Sequence, residues 1–281
     1  MAVIFTGMFI AFFLILSYLP DGITFTKALD IAGASDKMKV LDFSFDLDKK
    51  YTVWTGFLGG TFLMLSYFGT DQSQVQRYLS GKSLRESQLG LLFNGLLKVP
   101  MQFFILLTGV MVFVFFQFNP VPLNFNPNNK ALIEKSQYKN EYHILEKKLE
   151  ALSEDKKVIN LLYIDQLNQE YDNPILRKEM IALSDKEKDL RDRAKEIIIK
   201  ADNRSETNDK DYVFIYFILN YLPSGLIGLL LAVILSAAMS SSASGLTALA
   251  STTAIDIYKR NVTKEKSEKH FVNATKFFTL V

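Results

Sequence analysis

Hydroxyl side chains recur along one apolar stretch, residues 212–255, which contains no Asp, Glu, Lys or Arg. Five of them follow one another at intervals of three or four residues: Ser236, Ser240, Ser244, Thr247 and Ser251. In an α-helix this spacing places them on one face. A hydroxyl that faces lipid without a hydrogen-bond partner is costly, so this face must contact protein, water or an ion.

Two interpretations of this face are open at the level of sequence. Small residues allow close packing of helices in membranes. Alternatively, the adjacent Ser240 and Ser241, with the carbonyl of Ala237 one turn earlier, present three oxygens to one point, which suits a sodium ion. The remaining oxygens would have to come from an unwound segment of another helix, and the sequence reveals none.

The reactive side chains argue against an enzyme. The chain has no cysteine and two histidines, His143 and His270, both outside the charge-free stretches. Residues 242–245 have a faint similarity to the serine motif of intramembrane proteases, but that chemistry needs a histidine base beside the serine. The near balance of 32 basic and 30 acidic residues also argues against a nucleic-acid-binding surface.

Four stretches without charged residues, 2–19, 51–70, 99–118 and 212–255, are each long enough to cross a hydrocarbon layer of about 30 Å as a helix. The last stretch needs a break, which Pro223–Ser224–Gly225 supplies. An aromatic interfacial helix would precede the break, and a long helix would run from about Ser224 to Ile255. We therefore predict an all-α, multi-pass protein of the lipid bilayer, with the basic segments after the second and fourth stretches on the cytoplasmic side.

Residues 119–211 are predicted to form a charged insert outside the membrane. Within 127–211, apolar residues follow a four–three spacing on both sides of Asn173–Pro174, with Lys156 and Glu187 as breaks in the pattern. This pattern predicts two amphipathic helices that pair as an antiparallel hairpin. The hairpin is either a docking surface for a protein partner or a solvated spacer.

Two motifs resemble the sodium:solute symporter family, which includes the sodium–glucose cotransporters. Met239–Ser240–Ser241, with the run to Asp256–Ile257–Tyr258, is similar to the family's eighth core helix. Residues 67–77, YFGTDQSQVQR, followed by Gly81–Lys82–Ser83, are similar to the end of its sixth core helix. The motifs stand in the family's order, and the resemblance covers most of residues 1–118 and 212–281.

The resemblance implies a leucine-transporter-like inverted repeat, two sets of five helices with the binding site at the midplane of the membrane. Residues 1–118 would be core helices five to seven, the first of them truncated. Residues 212–281 would be an interfacial helix, core helix eight and the start of core helix nine. The chain is therefore expected to be an internal fragment of a larger membrane protein.

The resemblance also implies sodium ligands. Ala237, through its carbonyl, Ser240 and Ser241 match the family's sodium-binding residues. Ser244 matches a residue that holds a second sodium ion in some members, although Ala243 lacks the hydroxyl found in them.

For the solute, Tyr67 and Lys98 match residues that contact the sugar in sugar-carrying members, and Phe68 beside Tyr67 completes the predicted set. Met64 stands where galactose-type members carry an amide, which weakens the case for a hexose. Lys98 lies in an otherwise apolar run, where an ammonium usually faces a cavity or a carboxylate unless it reaches the membrane surface.

Taken together, the residues and the resemblance predict sodium-coupled symport of a small organic solute, a sugar or an acidic sugar, with sodium as the coupling ion. The expected location is the plasma (inner) membrane. The alternative is a membrane sensor or scaffold that uses the same helices without net transport.

Overall fold

The computed structural model describes residues 2–38, 41–46, 52–79, 83–169, 171–261 and 266–280. Every regular element in these ranges is a helix, which confirms the all-α prediction. The helices are α1 (Ala2–Ser17), α2 (Phe25–Ala34), α3 (Val53–Gly69), α4 (Gln72–Leu79), α5 (Leu84–Phe115), α6 (Pro127–Glu134), α7 (Lys139–Asn168), α8 (Pro174–Ala201), α9 (Tyr212–Tyr221), α10 (Ser224–Thr252, continued by a π-helical segment, Thr253–Lys259) and α11 (Glu268–Leu280).

The chain divides into two compact units, and the boundaries between them fall inside α5 and α10. The first unit contains residues 1–40 and 103–228, and the second contains residues 41–102 and 229–281. The insert lies in the first unit. All the residues predicted to bind sodium or solute lie in the second.

Two helices in the described residues are long and apolar enough to cross a membrane: α5, and α10 together with its π-helical continuation. In their most apolar windows, only 22% of the residues of α5 and 6% of those of α10 are buried. The apolar segments Phe5–Ser17 and Tyr212–Tyr221 are shorter. Because burying apolar surface is favourable, faces this apolar and this exposed are suited to contact with lipid or with other helices.

In the first unit, α1 packs against the second half of α5 through aromatic rings. The ring of Phe104 lies 4.4 Å from that of Phe9 and 5.1 Å from that of Phe12. Further along α5, Phe115 meets Phe217 and Tyr221 edge to face at 5.1 and 4.7 Å, which joins α9 to the end of α5. Edge-to-face contacts of this kind stabilise the packing beyond the area they bury.

The insert consists of α6, α7 and α8 around their own apolar core. Its fully or nearly fully buried members are Leu123, Ile133, Tyr142, Leu145, Leu149, Ala194, Ile197 and Ile198. Two Asn–Pro pairs start helices here. Asn126 accepts a hydrogen bond from the N–H of Asn128 at the start of α6, and Asn173 accepts one from the N–H of Ile175 at the start of α8. Asparagine is a strong N-cap, and the proline that follows it has no N–H to leave unpaired.

The two polar breaks in the hairpin pattern pair with each other. The Lys156 ammonium lies 2.6 Å from one carboxylate oxygen of Glu187, and Arg191 donates to the other oxygen at 2.8 Å. Arg191 also donates to the carbonyl of Leu123, which ties α8 to the segment that follows α5. Burial alone would raise the pKa of Glu187, but these two cations outweigh it and hold the pKa below its ordinary value.

In the second unit, a break between α3 and α4 divides a continuous polar motif. Helix α3 begins with a capping box formed by Thr52 and Thr55. It ends where the N–H groups of Thr70 and Asp71 both donate to the carbonyl of Ser66. Asp71 then starts α4, because its carboxylate accepts hydrogen bonds from both the N–H and the hydroxyl of Ser73.

The ends of two predicted membrane helices differ from the sequence-based boundaries. Helix α5 begins at Leu84, well before the charge-free stretch, and continues through Pro100. Helix α10 does not stop at Ile255, because a π-helical segment carries it on to Lys259. This segment packs against α11, where Tyr258 and His270 form a 3.0 Å hydrogen bond between their side chains.

Candidate solute and sodium site

The structure brings two of the predicted solute residues into direct contact. The Lys98 ammonium, on α5, lies 4.6 Å from the centre of the Tyr67 ring, on α3. The ring of Phe68 stands edge-on to that of Tyr67, with 5.1 Å between centres. Positive charge over the face of an aromatic ring is attracted by its quadrupole, by about 0.5–2 kcal/mol depending on solvation. The pair therefore positions a cation beside an aromatic surface.

An open and mainly apolar groove runs along α3 beside Phe68. Phe68 and Met64 line a groove of about 720 Å³ along α3, together with Gly56 and Gly60, whose missing side chains leave space. Two residues beyond Lys98, Pro100 has no N–H to donate to the carbonyl of Leu96. Tyr67 and Lys98 do not line this groove, so Phe68 is the member of the predicted solute set that faces it.

The predicted sodium ligands lie on α10, which presents them on an exposed face. Ser240 and Ser241 are exposed, as is Ala237 one turn earlier. Among the described residues, no hydrogen bond, ion pair or ring contact joins these three to Tyr67 or Lys98. All three residues lie within about one turn of the same helix.

Ser244, the candidate for a second ion, contacts a different helix. Its hydroxyl donates to the carbonyl of Ser73 in the first turn of α4, at 3.4 Å. The break between α3 and α4, with the Asp71 carboxylate at its edge, therefore lies beside the hydroxyl-bearing helix. This break between Gly69 and Gln72 was not evident from the sequence as a candidate source of further oxygens. The signal was present as Gly69–Thr70–Asp71, a helix-ending glycine followed by a residue suited to start a helix.

Neither histidine lies beside these serines. His143 is placed 2.6 Å from the carboxylate of Glu146 within the insert, and His270 bonds to Tyr258 at the end of the π-helical segment. Among the described residues, no group of three or more His, Cys, Asp or Glu side chains is arranged to hold a metal ion. A cation on α10 would depend on hydroxyl and carbonyl oxygens.

A family model matches part of the chain. Residues 198–281 match the model of the sodium:solute symporter family. The resemblance to the sodium:solute symporters is confirmed. The matched range contains the whole of α10 with Ala237, Ser240, Ser241 and Ser244, whereas Tyr67, Phe68 and Lys98 lie outside it.

Individual sodium:solute symporter relatives are similar over short stretches. Mouse sodium-coupled monocarboxylate transporter 2 is 37% identical over 70 residues, which are 25% of this chain and 11% of the relative. The human sodium/iodide cotransporter is 34% identical over 92 residues, 32% of this chain and 14% of the relative. Human sodium-coupled monocarboxylate transporter 1 is 48% identical over 46 residues, 16% of this chain and 8% of the relative.

The names of these relatives can be compared with two predictions, that the chain is not an enzyme and that its solute is a sugar. The relatives are transporters by name, which agrees with the prediction that the chain is not an enzyme. None of the three is named for a sugar, so the predicted sugar has no support from them. The matches span about a tenth of the length of the relatives, and no solved structure matches the chain.

Proposed function

We propose that this chain serves sodium-coupled symport of a small organic solute across the plasma membrane. The observation that supports it most is the family match over residues 198–281, since this range contains the hydroxyl-bearing face of α10. Two of the relatives named above are called sodium-coupled transporters, and the third is called a sodium/iodide cotransporter. The inverted-repeat arrangement of helices implied by the resemblance forms part of this proposal.

In the proposed sodium site, Ala237 contributes its carbonyl and Ser240 and Ser241 contribute their hydroxyls. Sodium is a hard cation that prefers oxygen ligands, and neutral oxygens can hold it when several converge. The contact between Ser244 and the start of α4 supports a role for the α3–α4 break in supplying further oxygens, with the Asp71 carboxylate nearby. We retain Ser244 as the candidate ligand for a second ion.

In the proposed solute site, the Lys98 ammonium binds an anionic group of the solute, and the rings of Tyr67 and Phe68 pack against its body. Two of the relatives are named for monocarboxylates and one for iodide, which are anions. A solute with one carboxylate therefore fits better than a neutral sugar. Of the two classes predicted from the sequence, the acidic sugar shares this carboxylate.

In the proposed cycle, sodium bound to α10 stabilises an outward-facing state to which the solute binds. A rocking motion then exposes both to the cytoplasm. Inward movement of each positive charge is favoured by about 2.3 kcal/mol per 100 mV of membrane potential. Ser241 and Ser240 provide the coupling in this scheme, because they hold the ion whose gradient drives the solute inward.

Uptake of radiolabelled monocarboxylate and acidic sugar by proteoliposomes, with an inward gradient of sodium or of choline, tests this proposal. We expect uptake with sodium alone. Ser241→Ala should raise the sodium concentration for half-maximal uptake about tenfold, equivalent to about 1.4 kcal/mol of lost ion binding. Ser242→Ala, which removes the neighbouring hydroxyl outside the predicted set, is the control.

Uptake that is the same in sodium and choline would reject sodium coupling. Binding of solute without any uptake would favour the sensor or scaffold alternative. An unchanged sodium requirement in Ser241→Ala, with normal uptake, would reject this site while leaving symport standing.

A further inference from the structure

A groove in the first unit is a candidate binding site that uses none of the residues assigned to transport. It has a volume of about 500 Å³ and lies between the end of α2, the middle of α8 and the segment before α9. Pockets that bind small molecules have volumes of about 300–1,000 Å³. The groove therefore has room for a small ligand.

The floor of the groove carries net positive charge. Lys156 and Arg191 share the single carboxylate of Glu187, so two cations face one anion. The side chain of Lys156 is only 8% exposed, and its ammonium has three N–H groups, of which one is accounted for by Glu187. Charge in a mostly buried position is weakly screened, so it attracts an anion more strongly than a surface lysine does.

The rim adds three more lysines, Lys37, Lys188 and Lys210. None of them forms an ion pair with another described residue, and all three are exposed. Two of the acidic side chains in the groove already have partners: Asp192 pairs with Lys195 at 2.7 Å, and Asp209 accepts the N–H of Phe125 at 2.8 Å.

Over the whole lining, six basic side chains (Lys37, Lys156, Lys188, Arg191, Lys195 and Lys210) face five acidic ones (Asp36, Asp185, Glu187, Asp192 and Asp209). The lining as a whole carries an excess of only one positive charge. Lys156 is nevertheless suited to bind an anion, because it has unused donors and lies at the floor of the groove. Phe113, Ile181 and Val213 add apolar surface to this charged lining.

We propose that this groove binds a small organic anion with a single carboxylate. The carboxylate pairs with Lys156 at the floor, and its apolar body packs against Phe113 and Ile181. The rim lysines Lys188 and Lys210 attract the anion and contribute the remaining electrostatic stabilisation. The insert is then a solute-binding part of the protein in its own right, whether or not its ligand is the transported solute.

The test uses the full chain in nanodiscs in potassium salts without sodium, so its outcome does not depend on sodium-coupled symport. The probe is 3,3,3-trifluoropropionate, and 3,3,3-trifluoropropanamide is its neutral counterpart. Binding is followed by the broadening of the fluorine NMR line. We expect the carboxylate to bind and the amide not to bind.

Lys156→Met should weaken binding about tenfold or more, and the double variant Lys188→Gln with Lys210→Gln about threefold, in line with the loss of ion pairs of different burial. Lys178→Gln, an exposed lysine of α8 outside the groove, should leave binding unchanged. If Lys156→Met does not fold, carboxylate binding by the double variant of the rim lysines tests the proposal instead. Equal binding of carboxylate and amide, or unaltered carboxylate binding in the rim double variant, overturns the proposal.

Discussion

At the scale of single residues, two lysines interrupt apolar patterns, and the structure gives them different partners. Lys156 meets Glu187 and is almost fully buried. Lys98 meets the ring of Tyr67 and remains exposed. The ion pair of Lys156 with Glu187 joins α7 to α8. A cation over a ring keeps its full charge, and Lys156 shares its carboxylate with Arg191, so each lysine leaves positive charge that an anion can use.

The Glu187 ion pairs predict a pH dependence of stability. The pKa of Glu187 is lower in the folded chain than its ordinary value of 4.5. The ionised carboxylate therefore stabilises the fold above that pH, and this contribution is lost as the pH falls through the lower, folded value. Glu187→Gln should destabilise the chain by about 3 kcal/mol near neutral pH, because Lys156 is left buried without its anion.

Thermal unfolding of the full chain in detergent, at about pH 7 and about pH 4, measures the effect. The gap in melting temperature between wild type and Glu187→Gln should narrow at the lower pH. Asp189→Asn, an exposed position on the same helix, should show no gap at either pH. If the difference in melting temperature between wild type and Glu187→Gln is the same at both pH values, the charge of Glu187 does not stabilise the fold.

The contact between Tyr67 and Lys98 predicts a graded effect on solute binding. Tyr67→Phe keeps the ring and should change the apparent solute affinity little. Tyr67→Leu removes it and should weaken that affinity about fivefold, which corresponds to about 1 kcal/mol. The concentration dependence of uptake measures this, with Phe62→Leu, an exposed position on the same helix outside the groove, as control. Equal effects of the Phe and Leu variants would show that the ring does not contribute.

The sequence predicts which residues form the candidate site, but it does not encode their contacts. The hydroxyl side chains of α10 recur at intervals of three or four residues. They therefore lie on one face of any helix that this stretch forms. The contacts of Lys98 with Tyr67 and of Ser244 with Ser73 join residues far apart in the chain, and no local pattern encodes them. The partnership of Lys156 with Glu187 was missed for the same reason, although both appeared as breaks in matching patterns.

At the scale of elements, helix starts are the features that local chemistry determines most directly. Asn173 accepts hydrogen bonds from the N–H groups of Ile175 and Leu176, and its amide donates to Gln166 at 2.7 Å. One side chain thus caps α8 and ties it to the last turns of α7. By contrast, the passage of α5 through Pro100 and the π-helical continuation of α10 depend on surroundings that the sequence does not display.

The cap predicts that Asn173→Ala destabilises the insert by about 1 kcal/mol. Asn173→Asp should retain most of that stability, because a carboxylate also accepts from the first N–H groups, although the bond to Gln166 is lost. Chemical denaturation followed by circular dichroism measures both, with the exposed Asn168→Ala as control. If the Asp variant is as unstable as the Ala variant, the bond to Gln166 is the important one, and the cap contributes little.

At the scale of the whole molecule, apolar side chains are exposed both on helices proposed for the membrane and on the insert. Leu235 of α10 is 63% exposed, and Leu162 of α7 is 48% exposed. Exposure alone does not distinguish them. Their neighbours do, since Leu235 lies in a charge-free helix long enough to span the bilayer and Leu162 lies in a charged amphipathic helix.

This difference predicts that an added charge will reduce membrane insertion strongly at Leu235 and only slightly at Leu162. Leu235→Arg places a cation near the centre of α10, which costs about 2.5–3.5 kcal/mol for membrane insertion. It should sharply reduce the inserted fraction, as measured with glycosylation reporters on either side of the helix. Leu162→Arg makes the same change on a helix that faces water, so insertion and the melting temperature should change little. Equal insertion of the two variants would place Leu235 away from lipid, since an arginine is tolerated in a membrane helix mainly where it faces protein or a water-filled cavity.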